Sequence, residues 1–179
     1  MRGLIGLLTL SCLLSLPAQA AITLASKSAF PGGVSDQGPM APLSVSSDGC
    51  RMVLSSQFPN FDPNARDVNF TTDVYLYDCT SDSLRLVSSI DGAGARSGNR
   101  QSEKGRISAD GKWVVFQSDA TNLITGGDTN PGFRIFLYDV EGRTLRVVGP
   151  GPVEAGINAD GSVVLIGGKA YSRATGQTR

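Results

Sequence analysis

Apolar positions along this chain fall into short runs separated by Gly, Pro, Asp and Asn, a spacing that predicts strands and turns rather than helices. The runs Met52 to Leu54, Val74 to Tyr77, Trp113 to Phe116 and Ile135 to Tyr138 are continuous, and continuous β-branched and aromatic runs imply strands buried on both faces; a further apolar run spans Val163 to Ile166. The stretches Leu84 to Val87 and Leu145 to Val148 alternate instead, with Arg85 and Arg146 facing outward, as an edge strand does. One apolar run is of another kind. Leu4 to Leu16 follows Arg2, ends at Pro17 and precedes Ala18-Gln19-Ala20, which predicts a secretory signal peptide over residues 1–20. A lipoprotein signal using Cys12 is the rival reading, but Thr9-Leu10-Ser11 does not supply the residues that signal needs. No later segment approaches the roughly 20 apolar residues that a membrane-spanning helix requires.

The strand pattern repeats. Asp48-Gly49 recurs as Asp110-Gly111, and Tyr77-Asp78 recurs as Tyr138-Asp139. A third copy starts at Asn158-Ala159-Asp160-Gly161 and reads as three strands, so a fourth strand is due where the sequence reaches Arg179. Each full copy reads as four strands, and the Asp-Gly pair forms the turn between the first two. Four-stranded sheets buried on both faces and repeated in tandem predict an all-β fold of propeller-type blades. The expected organisation is a repeat domain over 21–179, with blades at about 40–89, 103–149 and 153–179. A plain β-sandwich made from a duplicated meander is the alternative.

The segment SADGKWVVFQSDATNLITGGDTNPGFRIFLYD, which starts at Ser108, and its counterpart in the first copy resemble the TolB-like β-propeller repeats of exported bacterial proteins. Their shared features are an Asp-Gly turn, an apolar strand, an Asn-Leu segment with an Asp-Thr-Asn loop, and an apolar-Tyr-Asp strand. The resemblance implies the fold. It carries little about function, because that fold hosts scaffolds, binding proteins and domains attached to enzymes.

Two full copies and a partial third fall short of the roughly four to eight blades that close a ring. Ile22-Thr23-Leu24-Ala25-Ser26 resembles Leu84-Arg85-Leu86-Val87-Ser88, so residues 21–26 read as an outer strand that could complete the third blade. One arrangement that follows is a head-to-tail homodimer with six blades, each N-terminal strand completing its partner's last blade. The other is a shortened relative of a longer propeller, with open blade faces.

Composition narrows the chemistry. With 16 basic and 16 acidic residues the formal net charge is zero, which removes the basic footprint of a nucleic-acid binder. The chain has no histidine, so Ser-His-Asp and Cys-His catalysis and His-ligated zinc are excluded. Export leaves Cys50 and Cys79, and an oxidising compartment favours their pairing. Cys50 opens one predicted strand and Cys79 closes the next, which places them side by side in an antiparallel pair.

Candidate sites lie in the loops. The first copy carries Asn60-Phe61-Asp62 and Asp67-Val68-Asn69; the second carries Asn122-Leu123-Ile124 and Asp128-Thr129-Asn130. Oxygens from Asp67, Asn69, Asp128 and Asn130 could chelate Ca²⁺, a hard cation that prefers oxygen ligands. The competing reading is Asx-turns, in which each side chain caps the backbone two residues on. Arg134 stands where the first copy has Asp73. Glu103, Glu141 and Glu154 could pair with an Asp in a glycosidase, but no such position is shared by both copies. Trp113 reads as core rather than as a sugar-stacking platform. Arg96, Arg100, Lys104 and Arg106 form a mild basic patch that could meet an acidic partner.

The expected function is therefore that of an exported, periplasmic or secreted, non-catalytic binding or scaffolding protein. It would have no resident cofactor, a protein or envelope partner, no membrane span and no nucleic-acid ligand. The alternatives are a calcium- or carbohydrate-binding module and the remnant propeller domain of a larger hydrolase.

Overall fold

A computed structural model describes residues 41–57, 61–127 and 130–179. The expected signal peptide, the candidate closing strand over 21–26, Asn60 and Asp128 lie outside the described residues.

Among the described residues three antiparallel sheets follow one another, each with its strands in sequence order. The first holds β1 (Ala41–Val45), β2 (Arg51–Ser56), β3 (Asp73–Asp78) and β4 (Ser83–Leu86). The second holds β5 (Ser102–Ile107), β6 (Trp113–Ser118), β7 (Arg134–Asp139) and β8 (Thr144–Pro150). The third holds β9 (Ala155–Ile157), β10 (Val163–Ile166), β11 (Lys169–Ser172) and β12 (Gln177–Thr178). Among the described residues no helix is long and apolar enough to cross a membrane.

Each sheet begins with the same turn. Asp110 Oδ1 accepts the Lys112 N–H at 3.0 Å and the Ser108 hydroxyl at 2.6 Å, while the Ser108 Oγ accepts the Trp113 N–H at 3.0 Å. Asp48 and Ser46 repeat those three bonds in the first sheet. In the third, Asn158 replaces the serine and its Oδ1 accepts the Val163 N–H. Gly49, Gly111 and Gly161 take φ of 74°, 74° and 67°, the left-handed region that residues with a Cβ avoid.

The third sheet departs from expectation. It is four-stranded, because the chain reverses at Gly176 and the two-residue β12 pairs with β11 through Tyr171↔Thr178 and Ser172↔Gln177. So short a strand, with both residues exposed, leaves no apolar run for the sequence to show. A ring formed by strand exchange would first have to displace β12 from that edge.

The sheets stack face to face because their middle strands are apolar on both sides. Val114, Phe116, Phe136 and Tyr138 of the second sheet pack against Val53, Val74 and Leu76 of the first. From its other face Val115, Ile135 and Leu137 pack against Val164, Ile166 and Tyr171 of the third. Strand parity thus divides one sheet between two cores. The first strands lie innermost, with β1 against β5 and β5 against β9. Gly105 sets the approach of β5 to the first sheet: a Cβ there would lie 2.5 Å from Val53 Cγ1 and 2.9 Å from Val74 Cγ1.

Cys50 and Cys79 form a disulfide with their Cα atoms 5.0 Å apart. They flank the pair Arg51↔Asp78, and the Cys79 N–H donates to the Cys50 carbonyl at 3.0 Å, as their antiparallel placement requires. The bond closes a loop with a sequence separation of 29. Restricting the unfolded chain to that extent corresponds to about 3 to 4 kcal/mol. Replacing both cysteines by serine is expected to lower the unfolding free energy in urea by that amount. A loss below about 1 kcal/mol would show that the pairing restricts the unfolded chain far less than its loop length implies.

Candidate functional site

The inner strands build a groove of about 460 Å³. Its walls come from Ser44 on β1, Arg106 and Ile107 on β5, Ala155 and Ile157 on β9, and Leu165 on β10. The Ser44 Oγ accepts the Ile107 N–H at 2.9 Å and locks β5 to β1 beneath the opening. Leu165 is 55% exposed, the largest apolar side chain that the third sheet leaves open to solvent among the described residues. A Cβ on Gly156 would meet nothing within 4 Å among the described residues.

The rim carries charge. The Lys104 Nζ lies 3.5 Å from Glu154 Oε1, and an Arg106 guanidinium nitrogen lies 3.6 Å from Glu154 Oε2. Two cations share one carboxylate. Their alignment depends on an irregularity in β5, where register shifts between Glu103 and Arg106 and Lys104 takes φ of 56°. A bulge of this kind re-aims the side chains beside it. Glu103 points elsewhere, its carboxylate accepting from the Gln117 and Gln101 amides at 2.6 and 2.9 Å. The basic patch read from the sequence is therefore divided. Arg100 stands 4.0 Å from Asp119, the backbone of Arg96 bridges to Arg66, and Lys104 and Arg106 meet Glu154.

A second polar cluster lies beside β3. Asp67 Oδ1 accepts the N–H groups of Asn69 and Phe70 at 3.0 and 3.2 Å, and the Ser97 hydroxyl at 3.3 Å. Asn69 Oδ1 accepts the Thr71 N–H at 2.8 Å, which orients the amide. Its Nδ2 therefore faces the Gly98 and Arg100 carbonyls and Asp73 Oδ2, at 2.8, 3.2 and 3.2 Å. A donor occupies the point where three oxygens converge, and Asn69 works here as a clamp between β3 and the connection to the second sheet. Asp73 is fully buried, and its other oxygen accepts the Ser88 hydroxyl at 2.6 Å. Burial pushes its carboxyl up to about 7, with the Asp67 charge adding to the rise against the Ser88 and Asn69 bonds. Asp67 Oδ2 is buried with no hydrogen-bond partner among the described residues.

The other candidates are placed as follows. The Asn130 carbonyl accepts an Arg134 guanidinium N–H at 2.7 Å. Trp113 stands against Gly161, with the Arg173 and Arg146 guanidinium carbons 4.2 and 5.5 Å from its ring centroid, a cation–π packing between the second and third sheets. Sequence reading did not assemble Glu154, Ile157 and Leu165 with Lys104 and Arg106. The alternation of Lys104 and Arg106 in a strand was the available signal, and their common partner lies in another repeat.

No protein-family model and no curated protein matches the chain. Solved structures do. The β-propeller domain of the Trilobed protease from Pyrococcus furiosus aligns with a TM-score of 0.52 at 12% identity, covering 78% of this chain and 40% of that one. TolB from Acinetobacter baumannii aligns at 0.48 with 17% identity over 79% of this chain and 31% of that one. An oligogalacturonate lyase in complex with manganese aligns at 0.45 with 16% identity, over 73% and 32%. The chain thus spans about a third of the length of TolB and less than half of the propeller domain. Three stacked four-stranded antiparallel sheets and the likeness to that domain make the fold a β-propeller type.

Proposed function

We propose that this chain is an exported, non-catalytic binding or scaffolding module of TolB-like propeller repeats, and that it engages a protein or envelope ligand through the groove along its inner strands. The observation that carries this reading is the groove itself, where three sheets place exposed Leu165, partly buried Ile157 and the Arg106 side chain around one open volume. Concave sites with an apolar lining and a few convergent polar groups are where folded domains take ligands. Export is supported by the leader-like residues 1–20 and by the Cys50–Cys79 bond, which suits an oxidising compartment. The lack of histidine, together with Glu103 being held by two amides, supports binding over hydrolysis.

Selection of displayed random peptides on the oxidised chain tests the reading. Leu165→Glu places a charge in the apolar wall at an exposed site, so the fold is kept. The selected peptides are expected to lose at least about tenfold in affinity, since 1.4 kcal/mol is a factor of ten. Peptides that ignore this substitution, or cleavage of glycoside or peptide substrates by the purified chain, would replace the groove reading.

A further inference from the structure

We propose that the groove binds an acidic, extended peptide segment, whose carboxylate replaces Glu154 between Lys104 and Arg106. This rests on the groove being the binding site, as set out above, and adds the chemistry of its ligand and an internal competitor for it.

The local charge is unbalanced. Lys104 and Arg106 bring two positive charges to the rim and Glu154 returns one negative charge, while Glu103 is turned toward Gln101 and Gln117. Among the described residues one positive charge is left there for a ligand, although the chain as a whole is neutral. Glu154 is also loosely held. It is 72% exposed, and its contacts of 3.5 and 3.6 Å exceed the roughly 2.7–2.9 Å of strong charge-assisted bonds. An exposed pair of that geometry exchanges easily with another carboxylate.

The backbone is arranged to present these cations. Lys104 keeps a left-handed φ of 56° inside a strand, a conformation that persists only where its surroundings impose it. Gly105, next in the chain, is pressed against Val53 and Val74, so the bulge is anchored from below while Lys104 and Arg106 stay about half exposed above. The exposed Leu165, beside Gly156 in the strand register, supplies the apolar side of the groove near the charged pair, while Ala155 and Ile157 turn toward the core between the second and third sheets. A segment that alternates acidic and apolar residues places its carboxylates and its apolar side chains on opposite sides of an extended strand, matching rim and wall.

Fluorescence anisotropy with a labelled peptide of alternating glutamate and leucine tests this on the full oxidised chain. Arg106→Gln and Lys104→Gln are each expected to weaken binding about tenfold, and Glu154→Gln to tighten it several-fold by removing the competitor. Raising salt from about 0.05 to 0.5 M should weaken binding as the Debye length shortens. All three side chains are about half or more exposed, so the variants keep the fold, and unchanged circular dichroism verifies it. A neutral serine–leucine peptide that binds equally well, and still responds to Leu165→Glu, would overturn the acidic preference and leave the groove reading standing. Binding of neither peptide would overturn both. A Glu154→Gln chain with unchanged or weaker affinity for the acidic peptide would remove Glu154 as competitor and with it the proposal.

Discussion

Between pH 4 and pH 7 the unfolding free energy of this protein is expected to fall by up to about 1.4 kcal/mol per pH unit, roughly 3 kcal/mol in all, because Asp73 stays protonated in the fold. The unfolded chain releases that proton near the ordinary value of 3.8, whereas the folded chain holds it to about 7. Over this window the native state binds more protons than the unfolded state, and stability declines as pH rises. The contribution is fully present below the unfolded pKa and is lost by the time pH passes the folded one. Desolvation is the main cause, the Ser88 hydroxyl and the Asn69 amide oppose it, and the Asp67 charge adds to it. Burial together with Asp73, Asp67 and Asp62 pushes the Tyr75 hydroxyl up as well. Asp48, Asp78, Asp91 and Asp160 act in the opposite sense. Their carboxyls lie below the ordinary value, with hydrogen bonds from Ser46 to Asp48 and from Thr125 to Asp91 as the leading causes, so they matter below about pH 4. Urea titrations at pH 4, 5.5 and 7 on the wild type and on Asp73→Asn check the sign. The variant has no proton to release and is expected to show a flat profile over this interval. A variant that keeps the slope would place its origin elsewhere.

Truncating Phe116 is the second large effect. Its side chain is fully buried between the first and second sheets, stacked on Phe136 with centroids 5.5 Å apart and planes at 16°. Phe116→Ala removes the ring from a core that Val53, Val74 and Leu76 share from the facing sheet, and the strands on either side cannot close the gap. The expected loss is about 3 to 5 kcal/mol. Against a total stability of about 5 to 15 kcal/mol, that is a large fraction. Phe70, 75% exposed, provides the comparison, and Phe70→Ala is expected to change stability by less than about 0.5 kcal/mol. The urea midpoint should shift for Phe116→Ala with the slope unchanged. A shift as small as that of Phe70→Ala would mean that the two sheets do not share one core.

What the sequence by itself determined is local. Continuous apolar runs of the first two repeats became buried middle strands, while the run of the third leaves Leu165 exposed, and the Asp-Gly pairs became turns because Asp reaches an N–H two residues on and Gly takes positive φ. Cys50 and Cys79 met because strand order alone puts the start of β2 beside the end of β3. Even the division of β6 between two cores is a matter of parity, readable from Val114, Val115 and Phe116 once a sheet is assumed. Tertiary structure decided what depends on distant partners. The strand β12 shows no hydrophobic signal, since its two residues are exposed and its pairing rests on backbone bonds. Asp67 and Asn69 look alike as oxygen donors in the sequence, but the Thr71 N–H turns the Asn69 amide so that its nitrogen meets Asp73. Asp73 becomes exceptional only when burial removes its water. Lys104 and Arg106 belong to one repeat and Glu154 to the next, and charges so far apart in sequence are joined by the stacking of sheets, through packing and solvent exclusion that no local pattern encodes.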